Sequence, residues 1–304
     1  MQKGIDNMIK YFLIFIGIST ALFSLEQEYI LKVSEGIREQ SVSHVDTINI
    51  YEEPEQMKEA CTKEAKTVDK KISSPKDITI FTDKNIPPIN YTNTISLNKL
   101  QVSVKKQKFF HMILPAVLIS KQKLKVARTR VRAISNSDAP SSEDILFLED
   151  LYSKYKTDNT KELLSRMKTH PVSIVLAQAA IESGWGESRF FKKGNNIFGM
   201  WSVSENEPRM RAKGTRNGKP VYLRTYKTLS DAIDHYFVTI GRGAYKSFRK
   251  KRDITDNPLQ LVQYLVNYCE LKEKYTKKLS KFIVHNKLRK FDEFQIDKAY
   301  LTQQ

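Results

Sequence analysis

Apolar positions fall into distinct regimes along this chain. From Tyr11 to Phe23 they run almost unbroken, after Lys3 and Lys10 and before Ser24, Glu26, Gln27 and Glu28. That layout predicts a signal segment over residues 1–24. The run is shorter than the ~20 apolar residues of a membrane span, yet no Ala-x-Ala cleavage site follows it, so a cleaved signal peptide and a retained signal anchor are both open. From about 25 to 100 neither a helical nor a strand period is sustained. Polar tracts such as Asp46 to Lys76 and the turn pairs Ser74-Pro75 and Pro87-Pro88 read as a poorly ordered linker with low core content. A short helix over Glu55 to Lys66 and a short strand over Ile78 to Phe81 are the exceptions.

Helical periodicity begins at Val104 and continues in blocks. Phe109, Met112, Ile113, Ala116 and Ser120 share one face of a long helix or a broken pair, with Pro115 as the expected kink. After the loop from Ser135 to Ser142, Ser141 and Asp144 form a capping pair for a helix carrying Ile145, Leu148, Leu151, Tyr152 and Tyr155. A shorter helix follows from Glu162 to about Met167. Pro171 opens the next, which places Ile174, Ala177 and Ile181 on one face and stops at Gly184 and Gly186. Between Trp201 and Tyr226 the grammar changes to a β-hairpin around Asn217-Gly218. Thr228 with Asp231 and then Asn257-Pro258 open two further helices, and a last one starts near Lys274. The prediction is a mainly α domain over residues 101–304 with one β-hairpin.

The helix after Pro171 carries a single acid, Glu182, in its last turn. Helix-end carbonyls and apolar neighbours both disfavour a negative charge there, so its pKa should be raised, as a general acid requires. An isolated Glu at a helix end is ordinarily a solvated residue. Here small residues (Ala177, Ala179, Ala180, Ser183, Gly184) and the chain's only tryptophans, Trp185 and Trp201, surround it. An acid between two aromatic platforms is expected of a sugar-binding cleft.

The string Ala177-Gln-Ala-Ala-Ile-Glu-Ser-Gly-Trp-Gly186, then Asn195-Asn-Ile-Phe-Gly199, resembles the signature of bacterial glucosaminidases of glycoside hydrolase family 73, and more narrowly of the Bax-like proteins. Lys106 to Pro115, Tyr226 to Tyr236, Ala244-Tyr245, Tyr275 and Asn286 to Asp292 match as well. The resemblance spans about residue 100 to the C-terminus. It implies a lysozyme-like fold in which the catalytic acid ends a central helix, and it puts Tyr226 and Tyr245 at aromatic positions that line the cleft. Asn196 and Phe198 are read as shaping the floor behind Glu182, since an Asn-Asn-x-Phe-Gly turn needs side chains that bond its own backbone.

The resemblance implies hydrolysis of peptidoglycan glycan strands by an endo-acting β-N-acetylglucosaminidase. Glycosidases normally pair two carboxyl groups. The second is sought in Glu205 or Glu207 at the approach to the hairpin, Glu207 being the candidate taken with Glu182 and Tyr226, while participation by the substrate N-acetyl group is the alternative. A lytic transglycosylase on the same scaffold and a non-catalytic envelope-binding module are the competing readings.

Charge sharpens the choice of partner. Residues 1–100 hold 12 Lys/Arg and 14 Asp/Glu, leaving 39 and 20 for the rest of a chain with net charge +17. The basic field of the domain suits anionic envelope polymers better than nucleic acid in an exported, periplasmic or membrane-anchored protein, and membrane contact is expected only through the N-terminal segment. Cys61 and Cys269 are the only cysteines; they permit one disulfide and exclude a thiolate metal site. No histidine has metal-ligand spacing, and phosphate-binding glycine loops and serine elbows are absent, so neither metal nor cofactor is expected.

Overall fold

A computed structural model describes residues 63–302. The expected signal segment and Cys61 lie outside the described residues, and with them the one disulfide the two cysteines permit; Cys269 is half-buried. Among the described residues no helix is long and apolar enough to cross a membrane.

The spine is α1 (Val102–Ser135), one continuous helix of 34 residues, about 51 Å long at 1.5 Å per residue. Pro115 sits inside it without splitting it into a pair. The single apolar face expected here is too modest: every residue from Phe109 to Ser120 is buried. A helix that is apolar all round belongs in the centre of a fold. Its distal half is amphipathic and packs Val131 and Ile134 against α2 (Ser142–Tyr155) and α3 (Thr160–Met167), with Leu148, Leu151, Leu163 and Met167 completing a second core. Ser141 caps α2 by accepting from the Asp144 amide, as its spacing predicts.

α4 (Val172–Ser183) is the second central helix, with Val172 to Ala180 all buried. α5 (Arg189–Gly194) follows it closely, and the hairpin β5 (Arg209–Arg216) and β6 (Lys219–Arg224) lies where Asn217-Gly218 predicts. α6 (Leu229–Gly241) begins with the predicted reciprocal capping box of Thr228 and Asp231. Then come α7 (Lys246–Ile254), α8 (Pro258–Leu261) and α9 (Glu273–His285). The helix expected from Asn257-Pro258 is truncated to four α-helical residues and a 3₁₀ turn, which still bury Leu261, Val262 and Leu265.

The linker expectation fails for residues 63–100. Four short strands lie there: β1 (Glu64–Ala65), β2 (Val68–Lys70), β3 (Asn85–Ile86) and β4 (Ile89–Tyr91). The strand expected at Ile78 to Phe81 does not form. β2 pairs in parallel with β4, β3 with β7 (Gln295–Ile296), and β1 runs antiparallel to β8 (Leu301–Thr302). Ile72, Ile78, Phe81, Ile86, Tyr91 and Leu97 join the same core as α1 and α4. Their spacing has no period because the surface that buries them is a ready-made helical one, contacted by isolated side chains.

Candidate active site

Glu182 ends α4. Gly184 adopts φ +60° and returns its amide to the carbonyls of Ala180 and Ile181, and the Trp185 amide reaches Ala180 O at 2.8 Å. This left-handed cap stops the helix at the turn that carries the acid. The Glu182 carboxyl is held above the usual carboxylate range chiefly by burial, against the opposing Tyr275 hydrogen bond and the positive charge of Lys278.

Behind it runs a line of buried polar groups. The Tyr275 hydroxyl donates to Glu182 Oε1 at 2.8 Å and accepts from Gln178 Nε2 at 3.1 Å. The Tyr236 hydroxyl donates to Gln178 Oε1 at 2.6 Å and lies 2.8 Å from His170 Nε2. Because the Tyr236 proton is committed to an amide oxygen, which cannot donate, His170 Nε2 must carry the proton given to Tyr236. The line therefore has one direction, from His170 to Glu182. Burial, then Arg252 and Lys121, hold the His170 ring neutral by pushing its pKa well down. Burial keeps the Tyr236 and Tyr275 phenols protonated. Tyr268 stacks on Tyr275 at 5.5 Å and 13°, and Tyr245 lies 6.3 Å from Tyr268. Burial, with the nearby Glu182 charge adding to it, also raises the Tyr245 phenol.

A second polar cluster forms at the hairpin. Glu207 pairs with Arg224 and accepts from the amides of Val203 (3.1 Å) and Ser204 (3.4 Å). Burial works against its charge, but the Ser202, Ser204 and Val203 hydrogen bonds together with Arg224 outweigh it, so its pKa is lowered and it stays an anion. The Tyr226 hydroxyl and His235 Nδ1 share a hydrogen bond of 2.6 Å. His235 is pushed down to about 4 by burial and then by Arg224 and Arg242, so its ring is neutral. Glu205, the other acid considered, is an exposed side chain paired with Arg209 at 3.0 Å.

The expected substrate-side residues divide. Trp185 does not stand free as a platform. Its ring meets Phe109 and Phe110 edge-on and Phe282 at 5.3 Å, with Lys106 over it. Trp201 is half-exposed, bridged to Leu223 of the hairpin, with the Arg216 guanidinium 4.9 Å from its ring. The Asn-Asn-x-Phe-Gly turn behaves as its composition predicts. Asn196 accepts from the Met200 amide and donates to the carbonyls of Met200 and Arg224, while Asn195 donates to those of Thr92, Tyr226 and Lys227. These bonds lock the turn to the hairpin and to Tyr226. Phe198 is buried and stacks on Tyr236 at 4.3 Å, beneath the polar line. Gly194 permits the close approach at this junction, since a Cβ there would lie 2.7 Å from the Thr225 methyl.

Reading the sequence singled out the acid and missed its support. Gln178 lies one helical turn before Glu182 in an otherwise apolar helix, a visible signal. His170, Tyr236 and Tyr268 carry none that separates them from core residues.

Residues 157–288 match the family described as mannosyl-glycoprotein endo-beta-N-acetylglucosaminidase. Protein bax of Escherichia coli (strain K12) is 27% identical over 160 residues, which are 49% of this chain and 55% of that protein. The chain thus spans about half the length of this curated relative. Among solved structures, the catalytic domain of the autolysin Auto from Listeria monocytogenes is similar at TM-score 0.40 and 17% identity, covering 66% of this chain and 99% of that one. The glycoside hydrolase domain of Salmonella typhimurium FlgJ is similar at TM-score 0.32 and 22% identity, over 46% and 87%. Residues 157–288, the stretch similar to the glucosaminidase family of glycoside hydrolases, include Glu182 and most of its polar support.

Proposed function

We propose that this protein hydrolyses peptidoglycan glycan strands as an endo-acting β-N-acetylglucosaminidase, with Glu182 as the general acid on a lysozyme-like scaffold. The observation that carries this reading is the Tyr275 hydrogen bond to a carboxyl whose pKa burial raises. A donor on Oε1 makes that oxygen the carbonyl of the protonated acid. The proton then sits on Oε2, available to the glycosidic oxygen as the leaving sugar departs. Glu207, held as an anion beside Tyr226 and His235, is the candidate for the second group, activating water or stabilising the developing positive charge. Tyr245 and Trp201 supply aromatic surface for sugar rings, and Asn196 and Phe198 hold the floor. The basic excess of the domain suits a polymer bearing carboxylates, and an export signal over residues 1–24 would deliver the enzyme to it.

The full chain incubated with purified peptidoglycan in ¹⁸O-labelled water tests the proposal. Mass spectrometry should find fragments ending in reducing N-acetylglucosamine with one labelled oxygen per cut. Anhydro-muramyl ends without label would replace hydrolysis by transglycosylation. Absence of any fragment, with binding to the polymer retained, would leave a binding module.

A further inference from the structure

At the opposite end of α4 from Glu182 lies a half-enclosed cavity of about 530 Å³, within the size range of small-molecule sites. One wall is α1, which contributes Lys121, Lys125, Arg128 and Arg132; Lys168 and Lys298 close on them from the turn before α4 and from the C-terminal segment. Spacings of four, three and four residues put the α1 cations on one face, spread over about 16 Å of helix. Two carboxylates share the cavity, Asp256 and Asp292. Asp292 is already engaged, accepting from the Ser173 amide at 2.7 Å and the Ser173 hydroxyl at 2.8 Å.

Several of the cations are held by neutral partners. Lys121 donates to His170 O and Lys168 to Arg252 O, each to a backbone carbonyl. Among the described residues, Lys121, Lys125, Arg132, Lys168 and Lys298 form no ion pair. Among the described residues, five cations without an ion pair (Lys121, Lys125, Arg132, Lys168 and Lys298) share this concave site with two carboxylates and repel one another, and a solvated lysine surface has no need to converge in this way.

We propose that this cavity binds a multivalent oxyanion, a ligand carrying at least two phosphate or carboxylate groups spaced to meet successive cations along α1. The charges on α1 set the register, Arg132 offers a planar fork for an oxyanion, and Lys168 and Lys298 close over it. From His170 to Glu182 the chain rises about 18 Å along α4, so the site is separate from the glycan chemistry and stands whether or not Glu182 cleaves glycan.

Isothermal titration of the full chain with inorganic tripolyphosphate and, separately, with citrate tests the proposal at constant ionic strength. The expected result is saturable one-to-one binding of at least one of them, and the tighter of the two identifies the oxyanion. The double variant Lys125→Ala/Arg132→Ala should weaken it by about tenfold or more, the worth of one charge-assisted hydrogen bond, with unchanged far-UV circular dichroism. A charge-matched control on the hairpin, Lys213→Gln/Lys219→Gln, which also removes two positive charges, should leave it intact. No saturable binding of either anion, or equal loss in both double variants, would overturn the proposal.

Discussion

The proton on Glu182 is governed by two opposed influences, and each can be removed alone. Glu182→Gln keeps shape and hydrogen bonding but not the proton, so glycan cleavage should fall by about 10²–10⁴-fold, measured as released reducing ends. Its stability should not fall. A raised pKa means that the folded protein holds the proton more tightly than the unfolded chain, so the stabilisation is present at acid pH and lost as pH rises through the folded-state value. Removing the titration should leave Glu182→Gln at least as stable as the parent at neutral pH in thermal melts. Tyr275→Phe acts in the other direction on the proton. The Tyr275 hydrogen bond lowers the Glu182 pKa, so its loss should move the alkaline limb of the kcat/KM profile to higher pH while lowering the maximum. A variant whose activity falls with no movement of that limb would make Tyr275 a packing residue only.

At the scale of elements, the end of α4 matters more than its middle. Gly184 has open space around it, so nothing but its left-handed backbone demands glycine. Gly184→Ala should therefore destabilise by about 1 kcal/mol through conformation alone, read as a shifted urea midpoint with unchanged slope. Because the cap fixes where the last turn stops, the same change should lower cleavage more than it lowers stability. The hairpin is organised differently. Its turn was legible from Asn217-Gly218, but its attachment depends on Asn195 and Asn196 bonding to carbonyls up to 103 residues away.

At the scale of the molecule, the described chain closes on itself: β1 meets β8 and β3 meets β7, joining residues 64–86 to residues 295–302. A fragment of residues 101–304 lacks Ile72, Ile78, Phe81, Ile86, Tyr91 and Leu97, all buried in the main core. It should lose cooperative thermal unfolding and bind a dye for exposed apolar surface, whereas residues 63–304 should melt in one transition. Cooperative melting of the shorter fragment would return the first hundred residues to the status of linker.

Local chemistry was enough to place α1 to α4 and α6, both predicted capping pairs, the hairpin turn and the acid at the end of α4, since period, capping residues and turn pairs act between near neighbours in the chain; the short α5 gave no such signal. It could not separate Tyr275, Tyr236 and His170 from ordinary core aromatics, nor mark Trp185 as a packed ring rather than a platform. Those roles depend on which side chains meet across α4, α6 and α9. The core duty of residues 63–100 was equally hidden: a segment with no period of its own becomes structured when another part of the chain supplies the surface that buries it. What a single residue prefers can be read along the sequence; what it touches, and hence how tightly it holds a proton, was decided only by the tertiary structure.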